Sequence, residues 1–209
     1  MLTIENFSKR YNNILILEIK HLIFGNGVYW IKGENGSGKT TLFKSIAGIL
    51  PFDGEILFED GTSLRKNPID YRKRISYSEA EPLYPGFLTA KDIIRFTAKV
   101  KEISSAQQEQ HTRTFGVEEF YEKPCEAYSS GMMKKLALTL AFLGEPKLII
   151  LDEPLITLDE NARRVLFALV KESVGKGTTF LLSSHQSMDS TDLEVTGTFT
   201  IKNRTIQSE

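Results

Sequence analysis

The sequence predicts an α/β fold with a helical insertion, and three observations carry that prediction. A short apolar run, Val28 to Ile31, feeds a glycine-rich loop and then an amphipathic helix. A β-α-β pattern recurs between the runs KLIILD and TTFLLSSH. Between about Leu83 and Gly144 the strand signals vanish and helical segments take their place.

Each element follows in order. Residues Leu2 to Phe7 alternate apolar and polar, and Leu15 to Ile19 repeat the pattern, so the chain opens with half-buried strands. After the strand Val28 to Ile31, the segment TTLFKSIAGILP sets Leu42, Phe43, Ile46, Ile49 and Leu50 at helical spacing, with Pro51 as a stop. Glu55 to Phe58 and Arg74 to Tyr77 are further short strands separated by turn-rich DGTSLRKNP. Thr89 and Asp92 form a capping box for a helix through Ile93, Ile94, Phe96 and Val100. Polar helical segments follow around Ser105 to Thr114, and Ser129 or Ser130 caps a helix from Gly131 to Leu143. The helix ENARRVLFALVKESVGKG ends at Gly175 and Gly177, and Thr198 to Lys202 with Arg204 to Gln207 closes the chain as a hairpin. One domain is expected, with a core of about residues 1–78 and 147–209 and a helical subdomain of about 79–146.

Composition narrows the function classes. With 209 residues, 41% hydrophobic and 25% charged, the chain is an ordinary globular one. The net charge is −1 and the basic residues are dispersed, which argues against nucleic acid as a partner. A single cysteine, Cys125, excludes an internal disulfide and points to a reducing compartment. No apolar run approaches the ~20 residues of a spanning helix, and the start MLTIENFSKR lacks a signal-peptide stretch.

The chemistry is concentrated in a few stretches. Gly33-Glu34-Asn35-Gly36-Ser37-Gly38-Lys39-Thr40, followed by Thr41, matches a phosphate-binding loop. Its glycines let backbone N–H groups converge, and the helix that follows aims its positive dipole end at the same point. Lys39 then reaches the β- and γ-phosphates, and the Thr40 hydroxyl takes a Mg²⁺ coordination site. The bland alternative is a glycine-rich surface turn, which the placement between strand and helix disfavours. Leu148 to Leu151 is an apolar strand ending in two acids: Asp152 suits the water shell of Mg²⁺, and Glu153 suits a general base for an attacking water. A plain strand-to-helix cap is the other reading of those acids.

Taken together, the phosphate loop, the run YSSGMMKKLALTLAFLGEPKLIILDEP and the late SSH resemble the ABC-type ATPases over nearly the whole chain. The SSGM form of the signature and the short C-terminus look most like the stand-alone ATPase subunits of ABC exporters. The resemblance implies a P-loop NTPase fold with a RecA-like core, an antiparallel β portion and an inserted helical subdomain. It implies ATP and Mg²⁺ as ligands, and a homodimer or heterodimer that closes on two ATP molecules. It also implies a separate transmembrane permease subunit that holds the chain at the cytoplasmic, inner face of the membrane.

Residue by residue, the resemblance assigns Ser129, Ser130, Gly131 and Met132 to the signature that completes a partner's ATP site, where a serine-capped helix is the plain alternative. The usual LSGGQ is altered here by Tyr128, Ser130 and Met132. The resemblance makes His185 a γ-phosphate contact and Tyr11 the ring that stacks on adenine, against a strand-end histidine and a turn tyrosine. It makes Leu158-Asp159 the segment that crosses the dimer, while Asp159 also suits a helix cap. One family position departs altogether. The glutamine expected after the strand Arg74 to Tyr77 falls on Ala80, flanked by Glu79 and Glu81, which are either substitute oxygen ligands for Mg²⁺ or solvated loop acids. Two other functions stay open at this point: a soluble ABC-type ATPase not coupled to transport, and a regulatory ATP-binding subunit with reduced hydrolysis.

Overall fold

The structure, a computed structural model, describes residues 1–184 and 193–209. Its first half contains β1 (Leu2–Tyr11), β2 (Ile14–Phe24), β3 (Val28–Lys32), α1 (Lys39–Ile46), β4 (Asp53–Phe58), α2 (Pro68–Lys73) and β5 (Ile75–Ser78). Three helices follow, α3 (Ala90–Lys101), α4 (Ser105–Thr114) and α5 (Ser130–Phe142). The chain then returns to β6 (Leu148–Leu151), α6 (Glu160–Gly175), β7 (Thr179–Ser183), β8 (Gly197–Lys202) and β9 (Thr205–Ser208).

The strands make two sheets. One is antiparallel with order β2-β1-β4. The β1–β2 turn is Asn12-Asn13, both with positive φ (45° and 65°), as a two-residue turn of matching twist demands and as asparagine tolerates. The other sheet has order β5-β6-β7-β3-β8-β9 and is parallel up to the last pair, which is antiparallel. Parallel strands align their C-terminal ends on one edge, the edge where open α/β sheets hold ligands. The 33–38 loop leaves β3 there, Asp152 and Glu153 leave β6, and Ser183 ends β7 between them.

Helices and the antiparallel sheet cover the two faces of the parallel sheet, and strand periodicity sorts the core. Ile149 and Leu151 of β6, with Phe180 and Leu182 of β7, pack in an apolar cluster with residues of α3, α5 and α6. Leu148, Ile150 and Leu181 point the other way, into a cluster with the antiparallel sheet and α1. Both faces being covered explains why these strands read as continuous apolar runs. Cys125 lies 1% exposed in the first cluster, beside Val117 and Phe120.

Several boundaries differ from the sequence expectation. Helix α1 stops at Ile46, because Gly48 takes a left-handed turn (φ 71°) and the N–H of Gly48 and of Ile49 bond back to Ser45 and Lys44. Ile49 is consequently exposed, outside the helix. Helix α2, which starts at Pro68, the last residue of the turn-rich tract, was not expected. The Thr89–Asp92 capping box is present as expected, and Ser129 caps α5, its hydroxyl accepting from the Met132 N–H.

Candidate nucleotide site

The glycine-rich loop owes its shape to crowding on one side and openness on the other. A Cβ at Gly33 would stand 2.5 Å from Ser37 Oγ and 3.0 Å from the Ile201 carbonyl, so only glycine lets the loop pack against β8. At Gly36 an added Cβ would meet nothing within 4 Å, but φ of +77° favours glycine there too. Gly38, also left-handed, is the N-cap of α1. Glu34 and Asn35 are exposed, and the Glu34 carbonyl accepts from the Ser37 N–H at 3.1 Å, which curls the loop.

Lys39 opens α1 and is only 7% exposed. Its ammonium donates to the carbonyls of Gly33 (2.6 Å) and Glu34 (3.1 Å), so the loop holds its own cation at the mouth. Burial lowers the Lys39 pKa, opposed by Glu153 and then Asp152, which places both carboxylates within electrostatic reach.

Asp152 is 1% exposed and surrounded by hydroxyls. Thr40 donates to its Oδ2 at 2.7 Å, Tyr77 to the same oxygen at 3.4 Å, and Ser183 to Oδ1 at 2.5 Å. Ser183 Oγ also accepts from the Glu153 N–H at 3.0 Å, and Glu153 takes a left-handed backbone (φ 47°) that turns the chain sharply out of β6. Both oxygens of this buried carboxylate are thus hydrogen-bonded by hydroxyls. Burial, followed by the Asp152 charge, pushes the Tyr77 phenol well above its ordinary pKa, so it stays a donor.

A cavity of about 390 Å³ brings most of the sequence-predicted residues together, while Gly33 and Glu34 line a neighbouring cavity between β2 and β8. Tyr11, Asn35, Gly36, Ser37, Gly38, Lys39, Thr40, Thr41, Asp152 and Glu153 all line it, and so does Ala80. Tyr11 ends β1 with its ring 44% exposed, and the buried Lys9 ammonium sits 4.6 Å from the ring centroid while donating to the Pro51 carbonyl at 2.7 Å. The donor set fits a magnesium nucleotide: backbone amides and a lysine for phosphates, and a hydroxyl and carboxylate that are hard oxygen ligands.

Ser129, Gly131 and Met132 line a different cavity, of about 520 Å³, together with Lys135, Thr157 and Asp159. Ser129 and Ser130 are exposed at the start of α5. Asp159 caps α6 through the Ala162 N–H (2.8 Å) and pairs with Lys135 at 2.8 Å, so the capping reading describes it correctly as far as one chain goes. His185 lies outside the described residues.

The loop after β5 answers part of the question raised by Ala80. The Glu79 carboxylate pairs with Lys44 of α1 at 3.1 Å, and Glu81 is exposed, whereas Ala80 faces the cavity. Sequence reasoning missed Lys134 entirely. This α5 residue is 1% exposed, and its ammonium donates to the carbonyls of Ala80 (2.7 Å), Glu79 (2.9 Å) and Asp152 (3.5 Å). Burial lowers its pKa to about 8, against the opposing pull of Asp152, Glu153 and Glu81. Ser183 and Tyr77 were missed as site residues too. Ser183 ends the strand TFLLS and Tyr77 stands between two serines in ISYS, and neither pattern marks a site residue.

The chain resembles known proteins in sequence and in fold. Residues 19–156 match the family model described as ABC transporter. The chain is similar to the cytochrome c biogenesis ATP-binding export protein CcmA of Legionella pneumophila, 34% identical over 83% of this chain and 86% of that one. It is also similar to the spermidine/putrescine import ATP-binding protein PotA of Spiroplasma citri, 31% identical over 92% of this chain and 57% of that one. Among solved structures, an ATP binding subunit of an ABC transporter superposes with TM-score 0.91 at 27% identity, over 100% of this chain and 89% of the other. The chain belongs to the ABC transporter family, as an ATP-binding ATPase subunit.

Proposed function

We propose that this chain works as one of two subunits that close on ATP and power export through a separate membrane permease. The observation that carries the reading is the split of the site. Asn35 to Thr41, Asp152 and Glu153 line one cavity, while Ser129, Gly131 and Met132 open on another, so each chain offers two half-sites that suit opposite faces of a dimer.

Within that reading, Gly33 to Thr41 bind the phosphates, and Tyr11 stacks on the base with its other contacts fixed by Lys9. Thr40 and Asp152 would hold Mg²⁺, which neutralises charge on the transferring phosphoryl group. Glu153 polarises the attacking water, helped by a site that excludes solvent. Ser129, Ser130 and Gly131 present a hydroxyl and a helix N-terminus to the partner's nucleotide. His185 completes the γ-phosphate contacts.

No helix among the described residues is long and apolar enough to cross a membrane. The permease reading gains support from large apolar side chains left in solvent next to the loop after β5: Leu83 at 88%, Phe87 at 79% and Phe96 at 69% exposed. Such exposure is expected where a protein partner docks. Contact there would hold the chain at the inner face of the membrane. Export is favoured by the SSGM signature and by the similarity to CcmA, which is named an export protein.

Glu153→Gln tests the core of this proposal. The variant should bind MgATP while hydrolysis slows by roughly 10²–10⁴, the worth of a positioned general base. It should then elute from size-exclusion columns as a dimer in MgATP and as a monomer without it. A variant that stays monomeric and hydrolyses at the normal rate refutes both the base role and the ATP-driven closure.

A further inference from the structure

Helix α5 carries two successive lysines that face different ways. Lys135 reaches Asp159 at 2.8 Å, beside the exposed Ser129–Met132 segment. Lys134, about 100° further round the helix, points inward, where its ammonium meets the carbonyls of Glu79, Ala80 and Asp152. Those carbonyls come from two further elements, the loop after β5 and the end of β6.

An ammonium has three N–H donors; two go to the Glu79 and Ala80 carbonyls at 2.9 and 2.7 Å, and the third faces the Asp152 carbonyl at the longer 3.5 Å. Charge-assisted bonds of this kind are stronger than neutral ones, and a buried cation that lost them would be left uncompensated. Moving the 79–80 loop away from α5 therefore breaks two short charge-assisted bonds, and moving α5 away from the end of β6 breaks the longer contact to Asp152. Ala80 has no polar side-chain atom to make that link itself, yet it is the residue of the loop that lines the phosphate cavity.

We propose that Lys134 is a positioning residue for hydrolysis: its ammonium locks α5, the 79–80 loop and the Asp152–Glu153 turn into one unit, so that the N-terminus of α5 and the carboxylates move together. The inference rests on the reading of Asp152 and Glu153 as the hydrolytic carboxylates. It adds that the connection between the two cavities runs through a lysine on the helix and the loop's main chain, not through a side chain at position 80.

Two substitutions and a cycle test it. Lys134→Met keeps the apolar stem and removes all donors. Lys134→Gln keeps two donors and removes the charge, and so remains informative if the methionine variant fails to fold. The expected result is a fall in kcat of at least about 10-fold for Lys134→Met and about 3-fold for Lys134→Gln, with KM for MgATP held within about 3-fold. Ala80→Gln, which gives the loop its own amide, should raise kcat by about 3-fold or more in either Lys134 background beyond whatever it does in the native chain. A wild-type kcat in Lys134→Gln overturns the proposal. So does an Ala80→Gln effect that is the same with and without Lys134, because a merely structural lysine gives additive losses. Normal hydrolysis by Glu153→Gln, measured alongside, would instead remove the reading of the carboxylates beneath it.

Discussion

At the scale of single residues, the environment of Asp152 is the most demanding feature of the molecule. Three hydroxyls converge on one buried carboxylate, and Ser183 serves it twice over, by donating to Oδ1 and by accepting from the next residue's N–H. Ser183→Ala leaves a buried carboxylate oxygen and a buried amide each short of a partner, which should cost about 1–3 kcal/mol in urea unfolding. It should also lower kcat more than it changes KM. An unchanged kcat in the folded variant would mean that Ser183 holds only the fold. The sequence made Asp152 and Glu153 visible because acids at the end of an apolar strand stand out. It hid Ser183 and Lys134, since a hydroxyl in a strand and a lysine on a helix carry no mark of where the neighbouring strands will put their ends. Glu79 shows the same limit from the other side: two acids around Ala80 read as metal ligands or loop acids, and a lysine on α1, thirty-five positions away, decides where one of them points.

At the scale of elements, what could be read in advance was what is local. The Thr89–Asp92 capping box, the glycine-rich loop between strand and helix, and the closing hairpin are each specified by residues within a few positions of one another. The end of α1 and the existence of α2 are not. Helix α2 begins with Pro68 at its first turn and is only six residues long, so its tract reads as turns. It forms because Tyr71 is fully buried and donates to the Ile46 carbonyl, one of the unpaired carbonyls at the end of α1, at 2.9 Å. The two helices thus terminate and anchor each other across twenty-five residues. Tyr71→Phe keeps the ring and strands that carbonyl, so we expect a loss of about 1–3 kcal/mol with ATP binding unchanged, read by denaturant titration and calorimetry. A loss below about 0.5 kcal/mol would show that another donor replaces the phenol.

At the scale of the whole molecule, buried titratable groups set an unusual dependence of stability on pH. Burial lowers the pKa of both Lys101 and Lys134 to about 8 from an ordinary 10.5. The unfolded chain therefore holds more protons than the folded one between those values, and stability rises with pH across that interval. Burial acts in the opposite sense on the phenols of Tyr71, Tyr77 and Tyr84 and on the Cys125 thiol, all raised. Those groups ionise first in the unfolded chain, from about pH 9 for the thiol and 10 for the phenols, and stability falls there. The urea midpoint should accordingly be higher near about pH 9 than at about pH 7, and lower again by about pH 11. A steady decline from neutral pH would contradict the burial of the two lysines.

The placement of Cys125 has a practical consequence. The chain's one thiol is sealed under Leu88, whose carbonyl accepts from the Cys125 N–H at 2.8 Å, and its conversion to thiolate is suppressed by the same burial. A disulfide-exchange reagent can reach it only when the packing around α3 and the 117–128 segment comes apart. The protein thus carries a built-in clock inside its helical region: the rate at which the reagent's colour appears reports how much of that region is open, and how fast it opens when the reagent outpaces reclosing.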